Sequence, residues 1–370
     1  MPTELPARVR LGLLDLYDRS RRDLPWRGPS PRDGAPPEPY GVWISEVMLQ
    51  QTRVEAVIPY YLAWMERFPD VAALAAAPLD DVLRVWEGLG YYARARNLHR
   101  AAQVVRDRLG GELPSTAAAL RDLPGVGEYT AGAVASIARG ERVPAVDGNV
   151  RRVLARMFDE PDPTPSWLRE RATELVDPVR PGDCNQALME LGATVCVPRT
   201  PECARCPLAD DCLARRNGTV GERPRPKRRA ALPEREFGVA VLVRPKKSGP
   251  ELLLVRGPED GLLGGLWQFP TEPLAGDAPR AAAARAARTF GVATRRGGRA
   301  LPARVQVYSH FRGIYHPFVW TGKDGPAPGG DAVWAGPAKL ERLALSAAHR
   351  AIARAALASG VQRTAGTSQG

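Results

Sequence analysis

Four cysteines crowd into seventeen positions: Cys196, Cys203, Cys206 and Cys212, spaced C-x6-C-x2-C-x5-C. Thiolates this close on one loop ligate a metal. The four histidines, His99, His310, His316 and His349, all lie elsewhere. The donor set is therefore all sulfur, for structural zinc or for an iron–sulfur cluster. Zinc ribbons use two well-separated C-x2-C pairs, and only one pair is present, so the spacing favours one [4Fe–4S] cluster. The fifth cysteine, Cys184, reads as a small buried apolar residue.

Two carboxylates stand out by their surroundings. Glu46 is the one acidic group in Gly41–Thr52, among Val42, Trp43, Val47 and Leu49. Burial there disfavours the charged form and raises the pKa, as a general acid requires; the plainer reading is a salt-bridged carboxylate. Asp147, in Val146-Asp147-Gly148-Asn149-Val150, stands where it would cap a helix. Between them lies Leu123-Pro124-Gly125-Val126-Gly127-Glu128-Tyr129-Thr130. Pro124 presets its φ, and Gly125 and Gly127 allow backbone angles closed to other residues. A glycine turn that opens a helix leaves amide N–H groups free for a phosphate.

The elements that must position these groups are helical over most of the chain. Leu11–Arg21, Gly41–Thr52, Val54–Arg67, Val71–Ala77, Leu79–Gly88 and Ala93–Leu109 have helical spacing. Ser115–Arg121 follows with Ser115 as its cap, then Thr130–Arg139, Val150–Phe158, Pro165–Leu175 and Cys184–Leu191. Residues 216–236 are basic and proline-rich and read as an extended linker, with phosphate contact as an alternative. Beyond it, Phe237–Val243, Glu251–Val255, Trp267–Pro270, Val305–Val307, Tyr315–Trp320 and Ala332–Trp334 read as strands, with Ala278–Phe290 a helix among them. At 370 residues two domains are expected. An excess of 52 Lys and Arg over 41 Asp and Glu gives a net charge of +11, which favours a polyanionic partner. No apolar run of membrane-spanning length and no signal-peptide pattern is present.

Taken together, the glycine turn, the Asp about twenty residues later and the cysteine spacing resemble the iron–sulfur branch of the helix-hairpin-helix base-excision DNA glycosylases. Within it, Pro25-Trp26, Trp43-Ile44-Ser45-Glu46-Val47-Met48-Leu49-Gln50-Gln51-Thr52 and Gly88-Leu89-Gly90-Tyr91-Tyr92-Ala93-Arg94 resemble the adenine-specific (MutY) family. The resemblance implies an all-α, two-lobed catalytic domain over 1–215: a six-helix barrel at about 40–139, and a lobe of 1–39 plus 140–215 that holds the [4Fe–4S] cluster. It implies hydrolytic removal of adenine opposite 8-oxoguanine or guanine in double-stranded DNA, by a cytoplasmic, DNA-associated monomer in base-excision repair.

The same resemblance assigns roles. Glu46 protonates adenine, Asp147 meets the sugar cation, and Tyr129 and Asn149 support it, with Glu190 a further supporting candidate. Gln50 and Tyr91 contact the lesion, and Gly125 and Gly127 hold the backbone. Arg199 and Arg205 face phosphate. Relatives that cut the strand carry Lys where Tyr129 stands, and a phenol cannot form their imine, so a monofunctional enzyme is expected. Residues 237–362 resemble a Nudix-like α+β domain, starting from Gly261-Leu262-Leu263-Gly264-Gly265-Leu266-Trp267. Arg285, Arg288 and Thr289 replace the carboxylates that would hold Mg²⁺, which leaves a recognition module. Tyr308-Ser309-His310 resembles the loop that reads 8-oxoguanine, through Ser309 and His310. Residues 363–370 read as a disordered tail. Two competing readings remain: a thymine- or oxidised-pyrimidine-specific glycosylase, and a non-catalytic DNA-binding iron or redox sensor.

Overall fold

Apolar residues at helical spacing, punctuated by prolines and capping side chains, shape the first two hundred residues into α1 (Glu4–Ser20), α2 (Pro39–Met48), α3 (Val54–Arg67), α4 (Val71–Ala76), α5 (Leu79–Val85) and α6 (Ala93–Arg108). Then come α7 (Ala117–Leu120), α8 (Glu128–Arg139), α9 (Gly148–Met157), α10 (Pro165–Leu175), α11 (Pro181–Thr194) and the short α12 (Leu213–Arg216). The computed structural model describes residues 4–28, 36–226, 231–258, 263–291, 298–321 and 331–359. The expected tail, residues 227–230 of the expected linker, and Gly261 and Leu262 of the glycine-rich motif lie outside the described residues. The chain divides into two units, Met1–Ala76 with Asn97–Arg228, and Ala77–Arg96 with Arg229–Gly370.

In the first unit, Val9, Leu13 and Tyr17 of α1 pack with Val150, Val153 and Leu154 of α9 and Leu188 and Leu191 of α11. Helices start where side chains satisfy their free amides. Glu38 accepts from Gly41 N, Thr116 from Ala119 N, and Thr164 from Trp167 N. Thr116, not Ser115, is thus the cap of α7. The turn before α8 needs glycine at 125: φ is +75°, and a Cβ would lie 2.5 Å from the Cβ of Asn97. Asn185, fully buried on α11, ties the segment leading to α9, donating to Val143 O at 2.8 Å and accepting from Ala145 N at 3.1 Å.

The expected linker is partly built into this unit. Residues 213–216 and 220–222 are helical. Arg223 pairs with Asp159 at 2.7 Å and Arg225 with Asp162 at 2.8 Å. These ion pairs dock a basic stretch whose composition alone reads as a solvated tether.

The second unit is built on a sheet of eight strands among the described residues: β1 (Glu234–Arg244), β2 (Glu251–Arg256), β3 (Trp267–Gln268), β4 (Thr271–Pro273), β5 (Arg299–Ala300), β6 (Arg304–Val307), β7 (Arg312–Thr321) and β8 (Ala332–Ala335). β1 and β7 run parallel, from Glu234↔Arg312 to Val243↔Thr321, and the other pairs are antiparallel. Alternation along β1 sends Val239, Val241 and Val243 to a core shared with Ile352 and Ala353 of α15 (Ala347–Ala358). Ala240 and Leu242 face Ala283 and Ala287 of α13 (Pro279–Arg288). A one-turn helix, α14 (Pro337–Leu340), precedes α15.

β1 begins at Glu234, three residues before the expected Phe237, because Glu234 pairs with Arg312 at 2.7 Å in register. The stretch 77–96, expected in the helical barrel, groups with the second unit instead. Asp80 pairs with Arg256 at 2.8 Å, Glu87 pairs with Arg350 at 2.7 Å, and Arg96 donates to Gly264 O at 2.6 Å.

Candidate active site

α2 is buried from Tyr40 to Met48, and Glu46 lies in it at 5% exposure. Tyr129, in the first turn of α8, donates its hydroxyl to Glu46 Oε2. Burial pushes the Glu46 carboxyl up to about 7; the charge of Asp147 adds to the rise, while the Tyr129 hydrogen bond and Arg27 oppose it. Burial and the two carboxylates raise the Tyr129 phenol well above its ordinary value, so it stays a donor.

Asp147 caps α9. One oxygen accepts from Val150 N at 2.7 Å and the other from Asn149 Nδ2 at 2.8 Å. Arg152 in turn donates to Asn149 Oδ1 at 2.8 Å and to Gly192 O at 2.6 Å. Gly192 is needed there, since a Cβ would meet the Asn149 Cβ at 2.6 Å. Burial raises Asp147 too, but both hydrogen bonds and Arg152 oppose the rise. Asp147 accepts two hydrogen bonds at the positive end of α9, whereas Glu46 is buried with the Tyr129 hydroxyl as its donor. The geometry therefore favours the charge on Asp147 and the proton on Glu46.

Both carboxylates open into one cleft of about 1350 Å³, which is also lined by Tyr129, Asn149, Gln50, Gly125 and Gly127. Gln50 donates to Thr130 Oγ1 at 3.2 Å, and the next residue, Gln51, has φ +58°, a left-handed strain for a side chain of its size. Gly127 N-caps α8, and a Cβ there would meet nothing within 4 Å.

Sequence reasoning missed Arg22 and Arg27, which also line the cleft. They converge on Glu190, at 2.7 and 2.6 Å. Burial alone would raise Glu190, but the two guanidiniums hold it below its ordinary value. The only local signal was Arg27 directly after Pro25-Trp26; the pairing spans more than 160 positions and has no periodicity to betray it.

In the second unit, Tyr91 is 40% exposed with φ +48°. Ser309 and His310 are exposed at the turn between β6 and β7, with Ser309 Oγ 3.2 Å from His310 Nδ1. Tyr308 stacks on Phe311 at 4.6 Å and hydrogen-bonds Tyr315 at 2.7 Å, which braces that turn.

The four cysteines are half-buried and free of disulfides. Burial pushes Cys206 up to about 11, and Cys196, Cys212 and Cys203 add to the rise, so the four sulfurs lie within electrostatic reach of one another. Arg156 donates to Cys196 Sγ at 3.3 Å. Metal ligation needs such thiols as thiolates, and four of them are the donor set that an iron–sulfur cluster uses. Among the described residues, no group of three or more His, Cys, Asp or Glu is drawn together as a ready-made site for one metal ion. Arg199 is exposed, and Arg205 pairs with Glu202 at 2.5 Å. Cys184 is buried and donates to Leu175 O at 3.1 Å.

A helical unit with a glycine turn and a carboxylate pair, followed by an α+β unit, defines a class. Residues 44–178 match the HhH-GPD superfamily of base excision DNA repair proteins, and residues 239–355 match the NUDIX domain. The solved structure of a thermostable thymine-DNA glycosylase is 29% identical and covers 58% of this chain and 98% of its own, with a TM-score of 0.53. The adenine DNA glycosylase of Schizosaccharomyces pombe is 32% identical over 91% of this chain and 87% of its own length. That of Homo sapiens is 42% identical over 71% of this chain and 57% of its own. This chain belongs to the adenine DNA glycosylase family. Its matches to the mammalian members span 57 to 60% of their length.

Among the described residues no helix is long and apolar enough to cross a membrane.

Proposed function

We propose that the protein is a monofunctional, base-flipping adenine DNA glycosylase that hydrolyses the N-glycosidic bond of adenine paired with 8-oxoguanine or guanine. The observation that carries this reading is the pairing, in one cleft, of a buried carboxyl pushed up to about 7 with a half-buried carboxylate that takes two hydrogen bonds at a helix N-terminus. Glycosidic cleavage asks for this pair: an acid for the leaving group and a negative charge for the oxocarbenium-like sugar. Glu46 gives its proton to the adenine ring, and the C1′–N9 bond breaks with its electron pair going to the base. Asp147 faces the cationic sugar, with Asn149 fixing its second oxygen. Water adds at C1′ and returns a proton to Glu46, leaving an abasic site.

Adenine must leave the stack to reach the cleft, at a cost of a few kcal/mol. Gln50 and Tyr91 are assigned to the gap, Gly125 and Gly127 to the strand backbone, and Ser309 and His310 to 8-oxoguanine. Cys196, Cys203, Cys206 and Cys212 would hold a [4Fe–4S] cluster, whose contribution is to fold the loop that carries Arg199 and Arg205. The partner is mismatched double-stranded DNA, and the enzyme acts as a cytoplasmic, DNA-associated monomer. Tyr129, lacking an amine, supports hydrolysis without strand cleavage.

The test is a single-turnover reaction on duplexes carrying adenine opposite 8-oxoguanine, guanine or thymine, with the freed base identified by mass spectrometry. Adenine release opposite the first two is expected, with a loss of about 10²–10⁴-fold in Glu46→Gln. A borohydride-trapped covalent complex in stoichiometric yield would rule out the monofunctional course, and no base release from any duplex would end the reading.

A further inference from the structure

Tyr91 sits in a turn held partly by its own side chains and partly by a distant helix. Gly88, Gly90 and Tyr91 have φ of +107°, +72° and +48°, and a bulky residue in that region costs about 1–3 kcal/mol. On its C-terminal side the turn is tied by Trp86 Nε1 to Gly90 O at 2.9 Å and by Arg94 to Leu89 O and Gly90 O at 3.3 Å each. On its N-terminal side stands Glu87. Its carboxylate takes Arg350 Nε at 2.8 Å and Nη2 at 2.7 Å, a two-pronged, charge-assisted bond. Arg84 Nη1 and Leu345 N add to it at 3.3 Å each.

Arg350 is 8% exposed, and its other bonds reach Leu340 O at 2.6 Å and Leu343 O at 2.7 Å. Its helix, α15, also braces the hairpin that carries Ser309 and His310: Ala348 N donates to Gln306 Oε1 at 3.0 Å.

We propose that Glu87 and Arg350 are positioning residues, a bidentate latch by which α15 sets the turn that presents Tyr91. The latch rests on the reading above that Tyr91 fills the space beside an everted adenine. One helix then holds both the turn with the wedge and the hairpin assigned to the opposite base. The latch acts on eversion through the wedge that the turn presents, so its effect on eversion must vanish when the tyrosine ring is gone.

The experiment uses the full chain and a duplex with 2-aminopurine in place of the target adenine, opposite 8-oxoguanine, read by the fluorescence rise on eversion. Adenine release is measured in parallel. Glu87→Gln is expected to lower the eversion constant by at least about fivefold, and to add nothing in a Tyr91→Ala background, because contacting residues in one network couple. Should Glu87→Gln fail to fold, Arg350→Lys, which keeps the charge but loses the two-pronged geometry, is read in the same way. A variant that everts like the wild type, or effects that multiply in the double variant, would overturn the latch. A wild type that releases adenine alongside an unaffected Glu87→Gln sinks the latch alone. A wild type that neither everts nor releases adenine removes the function reading and the latch with it.

Discussion

At neutral pH Glu46 stands at the midpoint of its own titration, and the fold pays for this with stability. Its folded pKa of about 7 lies above its ordinary 4.5. The stability it contributes is thus fully present below about pH 4.5 and is lost as pH rises through about 7. Glu46→Gln keeps an acceptor for Tyr129 and never has to bury a charge. The variant is expected to be more stable than the wild type at pH 8, by up to roughly 3 kcal/mol, with the gap closing toward pH 4.5 in denaturant titrations. A variant less stable than the wild type at pH 8 would contradict burial as the cause. The isolation of this glutamate among Val42, Trp43 and Val47 is written in the local sequence, as is the capping role of Asp147. The Tyr129 hydrogen bond to position 46 is not, because it joins α2 to α8 across 83 positions. The same holds for the convergence of Arg22 and Arg27 on Glu190.

Among the elements, the glycine turn before α8 separates two demands on glycine. At 125 the side-chain space is filled by Asn97 and φ is +75°, whereas at 127 the space is open and φ is −89°. Gly125→Ala should therefore lower stability by about 1–3 kcal/mol. Gly127→Ala should leave the melting temperature nearly unchanged yet weaken duplex binding, since its Cβ would project where the amide is assigned to meet phosphate. Melting curves and salt-matched binding titrations separate the two, and equal effects at both positions would contradict the assignment. Helices α2, α3, α9 and α10 follow the periodicity of their apolar residues and their capping groups, so they were legible. The start of β1 was not, because charged Glu234 and Arg312 carry it by cross-strand pairing. Nor was α15 expected, although Ser346 caps it by accepting from His349 N at 3.4 Å and its buried residues Ala348, Ile352, Ala353 and Ala356 follow helical spacing.

For the molecule as a whole, the division of the chain is the feature that composition does not show. Segment 77–96 has helical periodicity like its neighbours, and long-range contacts such as Asp80–Arg256, Glu87–Arg350 and Arg96–Gly264 assign it to the second unit. A chain ending at Arg228 would remove Arg350, the two-pronged partner of Glu87, and losing one member of a largely buried pair costs up to about 3–5 kcal/mol. Amide exchange within 77–96 should then accelerate relative to the full chain while α9 and α11 stay protected. Unchanged protection in 77–96 would contradict the grouping.

The most direct test of the account is the pH dependence of single-turnover adenine release from pH 5 to 9. The wild-type rate should fall as pH rises through about 7, where Glu46 loses its proton. Tyr129→Phe should shift that limb to higher pH, because the hydrogen bond it removes lowers the Glu46 pKa, and Glu46→Gln should lack the limb altogether. A wild-type rate that stays flat or climbs through pH 7 would contradict a proton held on Glu46 as the source of the chemistry.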